Sequence, residues 1–263
     1  MYDSLSAMSK LASLSSVADV DQLAASPRQE LNSYAEFLTG FPLKGEKLYA
    51  TIFDRHAEHI QTQKAKYAVA NLEKILNATF EVSGVSGFDR MSLRDLSKRT
   101  GMSMGAIYSC IRKKEDIALM VADVVRLSSD LTRLHAMQAE SVWSQIEQSI
   151  RFHLYASTLL QPWYFFLFFE TRSLPEQQQT ESKQIELDAI ESFKVQIETG
   201  IASGEFDSVD STMLANTIVV LLEDWYLKPW KTQLLARSPA EQEQRIDNYY
   251  QSITKLVSKL LAV

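Results

Sequence analysis

No proline occurs between Leu43 and Gln161. A stretch of that length without the residue that breaks helices, and with apolar side chains recurring every three or four positions from Glu46 onward, confines the chain to a helical fold. Glycine supplies the punctuation instead, in a cluster from Gly84 to Gly87 and again at Gly101 and Gly105. No segment alternates with period two and no repeat of fixed length is visible, so the expected class is all-α.

The glycines divide the chain into elements. Residues 28–40 predict a short helix ended by Gly40 and the Phe41-Pro42 break. Tyr67, Ala70, Leu72, Ile75, Leu76, Thr79 and Phe80 mark one face of a helix over residues 65–82 that ends near Gly84. Ser92, with Asp95 three residues on, caps a short helix carrying Leu93, Leu96 and Thr100, and Gly101 stops it. Ser103 caps another with Ile107, Tyr108 and Ile111, and residues 113–116 open a longer one through Leu127. Further helices are expected over residues 141–160, 162–172, 176–203, 210–227 and 239–261. The last begins with a capping box at Ser238 and Glu241 and proline at its first turn, and its expected buried stripe is Ile246, Tyr249, Tyr250, Ile253, Leu256, Val257 and Leu260.

The charge of −6 is unevenly spread. Residues 64–118 hold ten Lys/Arg against six Asp/Glu, a local +4, leaving −10 for the rest. A basic module on an acidic body suits contact with phosphate by one part of the chain alone, although ordinary surface variation gives the same count. One cysteine, Cys110, excludes an internal disulfide, and with no apolar stretch longer than residues 163–169 and no secretory start, a cytoplasmic protein without a membrane span is expected. His56 and His59 lie three apart but lack a third metal ligand, and no phosphate loop, nucleophile elbow or zinc-protease signature is present, so neither an enzyme nor a cofactor is expected.

The pattern Leu93-x-x-Leu96-Ser97-x-x-x-Gly101-Met102-Ser103-x-x-x-Ile107-x-x-Cys110 has the spacing of a helix-turn-helix. A small residue at Ser97 lets two helices approach, Gly101 takes the turn, and Met102 and Ile107 supply the shared core. From Lys74 through Phe80, Gly84 to Gly87, Met91 to Ser97, Thr100 to Tyr108 and Lys114 to Ile117, about fifty residues resemble the DNA-binding domain of the TetR family of repressors. Cys110 stands where histidine is frequent and Ile111 where phenylalanine is usual, and some sixty residues precede the first family helix.

The resemblance implies a three-helix DNA-binding domain at residues 61–121, behind an extension at residues 1–60 that is partly helical, and a helical effector-binding and dimerisation domain at residues 122–263. It implies a homodimer on a palindromic operator of double-stranded DNA, acting as a repressor released by a small effector, with activation an alternative. The helix from Ser103 would enter the major groove. Met104, Gly105, Ala106 and Ser109 would face bases, and Tyr108, Lys114, Ser92, Arg94 and Ser103 would face phosphates. Tyr108 is otherwise a core residue and Lys114 a solvated one.

Residues 161–172 are too aromatic for an outer helix and form either a pocket or plain core, and residues 223–230 form either a pocket or an interface. Trp163, Phe166, Phe169, Glu170, Asp224 and Trp225 are the pocket candidates. Ile190, Phe193 and Ile197 on one helix and Leu214, Ile218 and Leu221 on the next are the candidates for the subunit interface. The segments from Gly200 to Phe206 and from Trp225 to Trp230 resemble a subgroup responding to fatty acids and acyl-CoA, which makes an apolar effector such as an acyl-CoA the expected ligand. A helical protein-protein adaptor is the rival reading, and it predicts no salt-dependent affinity for DNA.

Overall fold

The computed structural model describes residues 33–62, 64–233 and 238–262, and residues 1–32 of the expected extension fall outside them. Every regular element among the described residues is helical. Helices α1 (Tyr34–Gly40) and α2 (Gly45–Arg55) precede a head made of α3 (Ala65–Ser86), α4 (Leu93–Thr100) and α5 (Met104–Tyr108). Helix α6 (Lys114–Ala136) runs unbroken from the head into a body of α7 (Val142–Leu159), α8 (Gln161–Phe169), α9 (Glu176–Ser203), α10 (Ser211–Leu227), α11 (Trp230–Gln233) and α12 (Pro239–Leu261). No described helix is long and apolar enough to cross a membrane.

Side-chain caps set many of these boundaries. The hydroxyls of Ser33, Ser92, Ser103, Ser141 and Ser238 each accept an amide from three residues on, as does the Asp210 carboxylate at α10. The α3 helix passes through Gly84 and stops at Gly87, whose φ of +80° ends it one turn later than expected. An exposed glycine inside a helix costs only about 1 kcal/mol, less than the burial along α3 returns. Tyr67 and Ala70 lie on its exposed side, and the packed face is Ala68, Val69, Leu72, Ile75, Leu76 and Thr79. In α12 the stripe is Ile246, Tyr250, Ile253, Val257 and Leu261; Leu256 and Leu260 point outward, because a helix turning 100° per residue puts them beyond the buried arc. The aromatic α8 ends at Phe169 and is not apolar all round, since Phe169 is 60% exposed and stacks on Phe165.

The body is layered around α6, which packs on α7, α8 and α9, while α9 pairs with α10 and α12 covers α7. Residues 33–62 bind head and body together. Phe37 of α1 is wholly buried among Phe41, Phe152 and Tyr155, with ring centroids 4.6 to 5.5 Å apart. Leu48, Tyr49 and Ile52 of α2 are buried where α2 packs on α3. At the end of α2, Arg55 donates Nε and Nη2 to the two carboxylate oxygens of Asp123 on α6, both at 2.6 Å, and His56 Nε2 lies 3.1 Å from the same carboxylate. Burial alone would raise the Asp123 carboxyl, but the bonds from Arg55 and His56 prevail and hold it at about 2. Beyond α2, the amides of Gln61 and Thr62 donate to the Ser109 carbonyl at 2.9 and 3.2 Å, and the Arg112 guanidinium donates to the carbonyl of Glu58.

Candidate nucleic-acid interface and effector cavity

The turn between α4 and α5 is built from short-range contacts. Gly101 adopts φ +70°, ψ 9°, a left-handed conformation that costs other residues strain. The Ser97 hydroxyl donates to the Met102 carbonyl at 2.6 Å, so this small residue fixes the turn as well as allowing close approach. Thr100 Oγ1 accepts the Met102 amide at 3.2 Å. Leu96, Ile107, Cys110 and Ile111 are fully buried beneath the pair, and burial pushes the Cys110 thiol up. Outward stand Ser103, Gly105 and Tyr108, with Met104, Ala106 and Ser109 half-buried beside them and Arg94 and Lys98 exposed on α4. Tyr108 is 45% exposed, and the core alternative for it does not hold.

Four of the expected DNA contacts have internal partners, the first being the Ser103 hydroxyl, which accepts the Ala106 amide at 3.2 Å. The Ser92 hydroxyl and amide both donate to Asp95 Oδ2, at 2.6 and 3.0 Å, and these bonds hold the Asp95 carboxyl below its ordinary range. A carboxylate therefore already sits on the first turn of α4. The Lys114 ammonium donates to the carbonyls of Asp89, Phe88 and Met91 at 2.6, 3.2 and 3.4 Å, and lies 5.2 Å from the Phe88 ring centre. It shapes the turn after α3. The Ser109 hydroxyl donates to the Ala106 carbonyl at 2.7 Å.

In the body, a cavity of ≈ 350 Å³, counted out to its open mouth, lies between α6, α7, α8, α9 and α10. None of the six expected pocket residues lines it. Trp163 packs on Phe80 of α3 at 5.1 Å and on Tyr49 of α2 at 6.3 Å, and Phe166 lies 5.8 Å from Phe80 and 5.1 Å from Phe88. The buried Glu170 carboxylate accepts the Phe88 amide at 3.1 Å. These three face the head. Phe169 is at the surface; Asp224 accepts from Lys228 and Lys231; Trp225 donates to Thr158 Oγ1 at 2.9 Å. The cavity wall comes instead from the other side of α8, through Tyr164 and Phe168, with Ser129, His153, Glu186, Phe193, Glu223 and Tyr226 among its neighbours. Tyr164 and Glu223 lie within the two segments expected to form a pocket but not among the six residues singled out, although their steps along α8 and α10 from those residues were a usable signal.

The expected subunit interface is corrected in the same way. Phe193, Ile197, Leu214 and Ile218 are buried within one chain, where α9 packs on α10, so they are core. Ile190 and Leu221 are half-buried. The apolar side chains left outside on these two helices are Leu187, Val195, Met213 and Val220, the last two 66% and 61% exposed.

No family model matches this sequence, and no curated protein matches it significantly. Solved structures do match the fold. A bacterial regulatory protein in the TetR family from Rhodococcus RHA1 is 18% identical, with a TM-score of 0.59 over 71% of this chain and 96% of that one. The transcriptional regulator FadR from Bacillus subtilis, solved with stearoyl-CoA, is 16% identical, with a TM-score of 0.55 over 72% and 98%. AibR, solved with isovaleryl coenzyme A and operator DNA, is 14% identical, with a TM-score of 0.56 over 73% and 98%. This chain spans nearly all of each neighbour and extends beyond it. Its architecture, a helix-turn-helix head on an all-helical body, is the fold of the TetR-family regulators.

Proposed function

We propose that this chain is a ligand-responsive transcriptional regulator of the cytoplasm, a repressor that binds double-stranded DNA as a homodimer and acts by binding rather than catalysis. The observation that carries the reading is the helix-turn-helix itself, whose second helix offers Ser103, Gly105 and Tyr108 to solvent next to Arg94 and Lys98. A short, small-residue helix of this kind fits a major groove closely and contributes few base-edge hydrogen bonds, so phosphate contacts and DNA shape supply much of the affinity. The exposed Leu187, Val195, Met213 and Val220 on α9 and α10 are the surface for a second copy, which would set two recognition helices one groove repeat apart on a palindrome.

Helix α8 gives a route for release. One side of it, Tyr164 and Phe168, walls the cavity, and the other, Trp163, Phe166 and Glu170, bears on Phe80 and Phe88 of the head. A ligand that binds better when α8 is displaced shifts the head toward a spacing that no longer fits DNA. The expectation of an acyl-CoA or fatty acid draws support from the ligands of FadR and AibR. The chemistry of this cavity points elsewhere, as argued below.

The test is enrichment of genomic fragments on the purified full chain, with Arg94→Ala/Tyr108→Ala as control and a salt titration of each enriched site. A near-palindromic site bound by wild type, lost in the control and weakened steeply by salt is the expected result. No enrichment at low salt overturns the reading and leaves the protein-protein adaptor.

A further inference from the structure

The cavity in the body has an unusual balance of groups. Its walls are apolar and aromatic, with Tyr164, Phe168, Phe193 and Tyr226 joined by Ile185, Ala189, Val219 and Leu222. Tyr226 is the hub, with its ring centre 5.0 Å from Tyr164, 5.8 Å from Phe168 and 6.0 Å from His153. The charged residues of the lining are two carboxylates, Glu186 of α9 and Glu223 of α10, and the lining holds no Lys or Arg. Burial and the nearness of Glu186 push the Glu223 carboxyl up to about 7, as follows when two acids share a dry space without a cation.

A third group lacks a partner. His153 Nε2 is buried with no hydrogen bond, while the Tyr164 hydroxyl beside it donates to Ser128 Oγ at 3.1 Å. A buried polar atom left unpaired costs stability, and its position in the lining of a cavity marks it as a contact for something that enters. Burial lowers the imidazole to about 4, so the ring is neutral and does not compensate the carboxylates.

We propose that this cavity is a binding site for a small amphipathic organic cation, an amine whose ammonium lies between Glu186 and Glu223 over the face of Tyr226, whose apolar part packs on Tyr164, Phe168 and Phe193, and which offers a hydrogen bond to His153. The proposal rests on the body being the sensing domain and names the class of ligand it senses. Aromatic faces attract ammonium groups and two carboxylates reinforce that attraction, whereas a fatty-acid carboxylate or the phosphates of a coenzyme A would meet like charge with no compensating base in the lining. The enclosed part of the cavity holds roughly one water. Entry therefore requires the walls to give way, and a shift of α8, the wall that also packs on the head, would tie occupancy to the head.

The experiment is calorimetric binding of three probes of equal tail length, n-octylamine, n-octanoate and octanoyl-CoA, to the full chain and to Glu186→Gln/Glu223→Gln. Octylammonium is expected to bind wild type most tightly and to lose about tenfold or more in affinity in the double variant. Its affinity is also expected to rise between about pH 6 and 8 as Glu223 ionises, with a proton released on binding at the lower end. The other titratable groups of the lining are Glu186, His153, Tyr164 and Tyr226, and the last three hold one protonation state through that window. Thermal unfolding of the variant checks its fold, and His153→Ala supplies an independent loss of affinity. Stronger binding of octanoate or octanoyl-CoA to wild type, an amine affinity that is the same in the double variant, or no amine binding overturns the proposal. Amine binding that leaves operator affinity unchanged overturns the coupling to DNA and leaves the site intact, and a chain that binds DNA but no amine overturns the site and leaves the regulator reading intact.

Discussion

The two sides of α8 carry similar residues in opposite physical states. Toward the head, Trp163 and Phe166 meet Phe80 and Phe88 edge to face, Trp163 meets Tyr49 at a tilt, and the Glu170 carboxylate is paired with the Phe88 amide. Toward the cavity, Tyr164 and Phe168 look onto space, a histidine nitrogen without a partner and two carboxylates without a base. The first arrangement is complete and resists change, while the second is incomplete and is stabilised by whatever completes it. On the proposed reading, an element that is tight on one side and open on the other would transmit: a ligand filling the open side would move the packed side as a block.

The contrast is open to direct attack. Trp163→Ala empties the closed side and is expected to cost about 3 to 5 kcal/mol in urea unfolding, against a much smaller loss for Phe168→Ala on the open side; equal losses would erase the distinction. Glu170→Ala leaves the Phe88 amide unpaired, costing about 1 to 3 kcal/mol, and is expected to separate ligand binding from DNA release in an operator assay, whereas Glu170→Gln keeps an acceptor and much of the coupling. The Asp123 tie gives a third reading. Its carboxyl is held at about 2 against an ordinary 3.8, so its contribution of about 2 kcal/mol is fully present above about pH 4 and lost as the pH falls through about 2. Unfolding of Asp123→Asn should lack that part of the acid dependence seen in wild type. The smallest effect runs in the opposite direction: His153→Phe removes an unpaired buried nitrogen and is expected to raise stability by about 1 kcal/mol while weakening the amine, and a loss of stability would mean that the nitrogen has a partner.

What was legible in the sequence follows the range of the interactions. The starts of α4, α5 and α12 were readable because Ser92, Ser103 and Ser238 act within a few residues, although α5 stops at Tyr108, short of Ile111, and the helix-turn-helix was readable because Ser97, Gly101 and Met102 close their turn locally. The cavity draws on five helices spread from Ser129 to Tyr226, and no local pattern says which side of an aromatic helix will meet space and which will meet another helix. Glu170, a pocket candidate by its place in the aromatic segment, has as its partner an amide 82 residues away. On α9 and α10 the periodicity found the stripes that bury in their own chain; the sparser Leu187 and Val195, eight apart, and Met213 and Val220, seven apart, emerge as an outer face only once the core has been assigned.

The amino-terminal pair changes the mechanics of the molecule. A head joined to its body through α6 and α8 alone would swing as on a hinge. Here α1 is anchored on α7, α2 lies along α3 and is locked to α6 by Arg55 and Asp123, and residues 61–62 hold the carbonyl at the end of the recognition helix. That closes a loop of braces around the joint, as a diagonal closes a frame. A braced frame converts a push at one member into a small rotation of the whole assembly, so under the proposed function occupancy of the body would reach DNA as a tilt of α5 within its groove.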